Sequence, residues 1–448
     1  MAKTYSAFQN SDADWLGAVP TTWTVERLNA GFDLQKRSVL RDDGTVTAFR
    51  DGDVTLRSNR RVGGYTEADD DFGYQGIEPG DLAIHAMDAF AGAMGVSDAR
   101  GKCSPVYSVC RPRAGFDAHY YAYALRHIAR SGYVSTLGNG VRERSTDFRW
   151  SDARNLLVPV PPIQDQVAIV AFLDAQTTKI DALIEKQKQL IETLAERRRA
   201  TINHVVSMGL DPNVPLKVTG DRWFPKLPAH WRLVPCGSVS DLIQTGPFGS
   251  HLHSRDYVSG EIPVINPSHI INGEIVPDPA TSVNEVLSQQ LSRHRLQEGD
   301  IVAARRGDLG RAAVVHPRAA GYLCGTGSVI IRLKPQTFTS AYFLLAFGSA
   351  ASRAALAERS VRATMNNLSS EIIARLCLPV PPLAEQHDIL GYLKRETTQI
   401  DTLAAKSHEM IEALKERRLA LISAAVTGKI DVRISYQHRL PTPMPTVS

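Results

Sequence analysis

The sequence predicts a mixed α/β (α+β) chain with a pseudo-two-fold internal repeat, in which two variable segments alternate with two long helical regions that pair as an antiparallel coiled coil. Three observations carry this. ValProValProPro ends at Pro162 and LeuProValProPro at Pro382, and at that offset of 220 Pro159 to Val206 aligns without a gap with Pro379 to Val426, giving 22 identities in 48 positions. A second echo, at offset 208, pairs Trp15, Pro20 and Trp23 with Trp223, Pro228 and Trp231. Within the repeated block the apolar residues recur at three and four, the period of an amphipathic helix.

The elements follow in chain order. Residues 1–157 and 209–377 are the variable segments, 158–208 and 378–430 the helical regions, and 431–448 a tail with little apolar content that is expected to be disordered. In the variable segments VYSVC and SVIIRL read as strands, AHYYAYALRHIAR and SAYFLLAFGSAASRAALAE as helices, and the turns at 79–81 and 298–300 share GlyAsp. After each proline pair a short helix begins, and a longer one follows, opened by Thr178 with Asp181 and by Thr398 with Asp401 as an Asp variant of the capping box. The longer helices span about 28 residues, roughly 42 Å at 1.5 Å per residue. A heptad reading places Ile180, Leu183, Gln187, Leu190 and Leu194 at the seam, matched by Ile400, Leu403, Ser407, Met410 and Leu414, with Ile184, Ile191 and Ile411 widening it.

Composition removes several classes of function. With 43% hydrophobic and 22% charged residues the chain is an ordinary globular protein. No secretory or membrane-spanning segment is evident, and five scattered cysteines without a CxxC pair fit a reducing, cytoplasmic setting. The net charge of +4 is too small to argue for nucleic acid by itself, but 38 of the 51 basic residues are arginines, whose planar forks suit base and phosphate contacts.

Catalytic signatures are absent. AsnProSerHis at 266–269 departs from the adenine-gripping element of methyltransferases at its third and fourth positions, GlyThrGly at 325–327 is too short for a dinucleotide or S-adenosylmethionine loop, and GlyLys at 428–429 lacks the upstream glycine of a P-loop. HisLeuHis at 251–253 has no third ligand at metal spacing. No catalytic residue and no metal ligand is therefore expected. The candidates for DNA contact are Arg57, Arg60 and Arg61, then Arg142, Arg144 and Arg149, and in the second segment Arg305, Arg306 and Arg311. Arg142 and Arg362 occupy matching places before the repeated block, and Asn366 and Asn367 have the amides that read adenine edges.

This layout resembles the DNA-specificity subunit of type I restriction–modification enzymes. The resemblance rests on VPVPPIQDQ and LPVPPLAEQ, the Thr-x-x-Asp helices ending GluArgArg, the linker MGLDPNVPLKVTGDRWFPKLPAHW, and TGPFGS at 245–250, which adds Ser250 to the DNA-contact candidates. It implies that the variable segments are two target-recognition domains and that the chain is a non-catalytic reader of a bipartite, asymmetric duplex site with its helices setting the gap. It further implies two modification (methyltransferase) subunits and restriction (translocase/nuclease) subunits as partners, which carry S-adenosylmethionine, ATP and Mg, and no cofactor on this chain. The competing readings are a single-chain methyltransferase or nuclease with two recognition domains, which requires a cofactor loop or paired carboxylates, and a coiled-coil scaffold that binds no DNA.

Overall fold

The computed structural model describes residues 4–60, 72–137, 147–247, 251–334, 336–361 and 368–433. The chain divides into two compact units, Met1–Lys188 with His408–Ser448, and Gln189–Ser407.

In the first unit the apolar alternation of the variable segment folds into an antiparallel sheet of β1 (Phe32–Leu34), β2 (Leu82–His85), β3 (Met94–Val96) and β4 (Tyr107–Pro112), in the order β1-β4-β2-β3. The tyrosine-rich α1 (Ala118–Arg130) buries Tyr120, Tyr121, Leu125 and Ile128 against it, and Asp117 caps its start by accepting the backbone N–H groups of His119 and Tyr120. A short α2 (Trp150–Ala153) precedes strand Leu157–Val160, which pairs with Thr24–Arg27. The second unit repeats this order with β5 (Ser240–Thr245), β6 (Ile301–Ala304), β7 (Ala312–Val314) and β8 (Ser328–Leu333), arranged β5-β8-β6-β7. The helical stretch expected over 340–358 is broken at Gly348 into α4 (Ser340–Phe347) and α5 (Ala350–Val361). α6 (Ser370–Ala374) and strand Cys377–Val380, paired with Arg232–Pro235, close the segment.

The echo at offset 208 is a hairpin made twice. Phe8–Asn10 pairs with Ala18–Pro20, and Leu216–Val218 with Lys226–Pro228, in equivalent register. Each hairpin delivers a fully buried tryptophan, Trp23 or Trp231. Against each ring lies a glycine of positive φ, Gly428 or Gly209; a Cβ there would stand 3.1 Å or 3.2 Å from the indole.

The helical regions differ from expectation in two respects. Each is one continuous helix, α3 (Ile163–Met208) and α7 (Leu383–Val426), with no break before the threonines. Thr178 and Thr398 both lie inside these helices, and Thr398 turns its hydroxyl back to the Lys394 carbonyl, so neither caps a helix. The second difference is the seam. Ile180, Leu194, Ile400, Ser407 and Leu414 are buried and Gln187 is half-buried, but Leu183, Leu190, Leu403 and Met410 are 47%, 43%, 51% and 51% exposed. The covered stripe instead runs Leu173, Thr177, Ile180, Ile184, Gln187, Ile191, Leu194 and, 220 residues on, Leu393, Thr397, Ile400, Ala404, Ser407, Ile411, Leu414. Because the helix is continuous from its prolines, Leu173 and Thr177 set the phase, and the four-three alternation they start bypasses Leu183 and Leu190.

Within each unit the helix segments run antiparallel. In the first, Asp181 pairs with Arg418 at 3.0 Å while Ala168, Ile169 and Leu173 share a core with Ile422, Ala425 and Val426. In the second, Arg198 pairs with Asp401 at 3.5 Å. The two ion pairs are the same pair displaced by 220 residues. Among the described residues no helix is long and apolar enough to cross a membrane.

Candidate nucleic-acid interface

What positions a surface in each unit is a set of buried polar ties that occurs twice. The GlyAsp turns place Asp81 and Asp300 in the interior, where each accepts a backbone N–H three residues upstream, from Glu78 at 2.9 Å and Gln297 at 2.8 Å. An arginine on the neighbouring strand meets each carboxylate. Arg111 Nε lies 2.7 Å from Asp81, and Arg332 binds Asp300 through two nitrogens at 2.8 Å. Such a buried pair strongly resists loss of either partner.

A second tie joins the sheet domain to the helix. Gln166 accepts from the Asp117 backbone N–H at 2.8 Å and donates to the carbonyls of Gly115 and Pro161 at 2.9 and 2.8 Å. Gln386 does the same with Thr339 at 2.9 Å and with Thr337 and Pro381, both at 3.0 Å. Both glutamines are fully buried, and each thereby orients the start of the following helix, α1 or α4. Tyr120 donates to the Val426 carbonyl at 3.0 Å and Tyr342 to that of Val206 at 3.3 Å, so each sheet domain is seated on the last turn of a long helix.

The expected DNA-contact residues divide into three groups. Arg61, Arg142, Arg144, Ser250, Arg362, Asn366 and Asn367 lie outside the described residues. Several others are engaged within the chain: Arg57 Nε donates to Thr47 at 3.0 Å, and Arg60 is gripped by Asp51 at 2.6 Å and Asp53 at 3.1 Å while stacking 4.4 Å from the Phe49 ring. The hydrogen bond from Arg60 also holds the Asp51 carboxyl below its usual pKa. Arg305 donates to the carbonyls of Leu368 at 2.7 Å and Thr326 at 3.3 Å, and burial depresses its pKa. Arg311 pairs with Asp308 at 3.2 Å, and Arg149 with Asp147 at 2.7 Å. Arg306 alone of these is exposed with no hydrogen bond or ion pair among the described residues.

Two concavities gather the basic residues. In the first unit a groove of about 760 Å³ lies between the chain following β1 and helix α2; it contains Lys36, Arg37, Arg149 and Arg154 and, among the described residues, no acidic lining residue. In the second unit a groove of about 1080 Å³ contains Arg198, Arg199, Arg311 and Arg353 together with Asp308 and Asp401. Arg149 and Arg311 were legible as candidates, whereas Lys36 and Arg154 were not, since neither belongs to a cluster or to a matched position of the repeat.

The remaining motifs are structural. Asn266 and the glycines of 325–327 pack together, so tightly that a Cβ on Gly325 would stand 2.2 Å from the Asn266 side chain, and buried His269 bonds the Val264 carbonyl at 3.0 Å. His253 opens a short turn through its backbone N–H to Asp256 at 2.7 Å. Among the described residues no group of three His, Cys, Asp or Glu side chains is placed to hold a metal. Burial pushes the Cys103 and Cys236 thiols up to about 12, which keeps them protonated.

A family profile described as the type I restriction modification DNA specificity domain matches residues 228–413, which span the second sheet domain and much of the last helix. That match covers less than half of the chain, so it is residues 228–413 that are similar to this domain. The chain is 28% identical to the StySPI specificity subunit of Salmonella potsdam over 225 residues, 48% of this chain and 46% of that one, so this match spans about half the length of either protein. Over 370 residues it is 19% identical to the EcoBI specificity subunit of Escherichia coli, covering 80% and 76% of the two chains. The fold is that of a chain in a solved type I R-M complex, with TM-score 0.67 at 18% identity over 92% of this chain and 99% of that one. The HsdS subunit from Thermoanaerobacter tengcongensis gives 0.54 at 18% identity, covering 92% and 98%.

Proposed function

We propose that each sheet domain, 1–157 and 209–377, reads one half of a bipartite, asymmetric duplex DNA site, and that the paired helical regions, 158–208 and 378–430, hold the gap between the halves. The observation that supports this is the contrast inside the repeat. The ties that seat each domain on its helix are identical, Gln166 matching Gln386 and Tyr120 matching Tyr342, while the groove-lining side chains differ. Identical seating with unlike reading surfaces is what an asymmetric two-part site requires.

The partners in this reading are two modification subunits and the restriction subunits of a cytoplasmic complex, which bring the S-adenosylmethionine, ATP and Mg that this chain does not bind. The apolar side chains left outward on the long helices, Leu183 and Met410 in the first unit and Leu190 and Leu403 in the second, suit docking of a partner helix. The deciding experiment exchanges residues 210–377 for the second recognition domain of another family member and maps the methylated sequence. One half-site changes and the other stays; a change in both, or in neither, rejects independent reading.

A further inference from the structure

The groove of the first unit has a composition that its surroundings do not explain. Residues 1–157 carry 19 basic and 20 acidic side chains, yet among the described residues the lining of this groove holds four basic residues and no acidic one. Arginines of this unit are commonly neutralised at short range, as Arg60 is by Asp51, Arg113 by Asp33 and, in the groove itself, Arg149 by Asp147. Lys36 and Arg154 both line it and are exposed, and their side chains make no hydrogen bond or ion pair among the described residues. Arg37 behaves differently, since it is tied to buried Asp81 and thereby fixes the backbone that carries Lys36. Two unpaired cations facing a groove of this size are arranged for an extended polyanion.

The floor supplies the other half of the chemistry. Gln75 donates one amide N–H to the Tyr107 carbonyl at 2.7 Å. That bond locks the side chain while leaving its carbonyl oxygen and a second N–H to pair with a base edge. Tyr74 and Trp150 add aromatic surface beside it.

We propose that the first recognition domain grips duplex DNA in this groove, with Lys36 and Arg154 on backbone phosphates and Gln75 on the edge of one base pair of the first half-site. The assignment rests on the DNA-reading function proposed above and names the residues that perform it. An amide held in place discriminates bases; a cation on a flexible stem does not.

The test uses the full chain with its modification subunit, titrated with the cognate duplex at several salt concentrations and then put through a binding selection on random duplexes. Lys36→Ala and Arg154→Ala each lower the slope of log affinity against log salt by about one and weaken all sequences alike. Gln75→Ala weakens the cognate duplex by about 5- to 150-fold and relaxes one position of the first half-site, with the second half unchanged. Both cation variants alter exposed side chains and keep the fold, which circular dichroism checks. Unchanged slopes in those variants, or relaxation in the second half-site, overturn the groove assignment while the unaltered protein still selects its site. An unaltered protein that selects no sequence overturns both readings.

Discussion

The two units agree in their interiors and differ at their grooves. Asp81 with Arg111 and Asp300 with Arg332 are the same buried pair on the same strands, and Gln166 and Gln386 make the same three hydrogen bonds. The grooves follow no such rule. In the second unit Arg311 and Arg353 share Asp308, and Arg198 is occupied by Asp401, whereas the described lining of the first groove includes no carboxylate. Duplicated chains keep what many neighbours constrain, because a buried polar group left without its partner costs about 1–3 kcal/mol. A side chain pointing into solvent has few neighbours to satisfy, so it is free to diverge with the sequence it contacts.

The largest effect that would break this comparison comes from cutting the repeat in two. The Tyr120 hydroxyl of the first unit rests on Val426, whose counterpart Val206 lies in the first helix. Residues 1–208 are therefore expected to dimerise, a second copy supplying Val206 where Val426 was, and to select a palindrome of the first half-site. Sedimentation showing a monomer at tens of micromolar, or selection of an asymmetric site, would refute the equivalence of the two helix ends.

Smaller changes sharpen it. Asp81→Ala and Asp300→Ala each remove a buried carboxylate together with its backbone and arginine hydrogen bonds and should cost about 1–3 kcal/mol, seen as a lowered denaturation midpoint in both cases. Loss for one and not the other would show that the pairs are not equivalent. Gln166→Ala and Gln386→Ala remove three hydrogen bonds apiece, and each is expected to cost about 1–3 kcal/mol and to speed amide exchange at the start of the adjoining helix, α1 or α4.

One asymmetry is readable by pH. His294 in the second unit is buried, bonds Gln244 at 3.0 Å, and is pushed down to about 4 by burial, with Arg293 adding to the effect. It stays neutral in the folded state while the unfolded chain takes up a proton near 6.5. Its contribution is thus fully present above about pH 6.5 and fades as the pH falls toward 4. Melting temperature should decline over that window, and His294→Gln should flatten the decline; equal slopes in both proteins would exclude this residue as the cause. The smallest effects belong to the partly exposed pairs. Arg198→Ala and Arg418→Ala should each cost less than about 1 kcal/mol, so a larger loss in denaturant titrations would mean that these arginines contribute packing as well as charge.

Much of the architecture was legible in residues alone. Twenty-two identities over 48 positions required a duplicated unit, and the Trp and Pro echo at offset 208 marked where the structure makes one hairpin twice, although it did not show that the element is a hairpin. The functional role of Gln166 and Gln386 was hidden inside the same motif, because the carbonyls they bind are supplied by segments about 50 residues away. Leu183 and Ile184 are adjacent and both apolar, so periodicity over 178–206 admitted either as the seam. Extending the helix back to Leu173 removes the ambiguity, and the prolines, which were read as opening a separate short helix, had concealed it.

The sequence by itself determined the repeat and the helical character of its common block, since these depend on local spacing and residue type. Only the tertiary structure decided which apolar stripe is covered, which arginines are already neutralised and which remain open to solvent. A charge cluster in sequence says nothing about the carboxylates that folding brings to it, and that pairing is what separates Arg60, held by Asp51 and Asp53, from Lys36 and Arg154, which face an open groove.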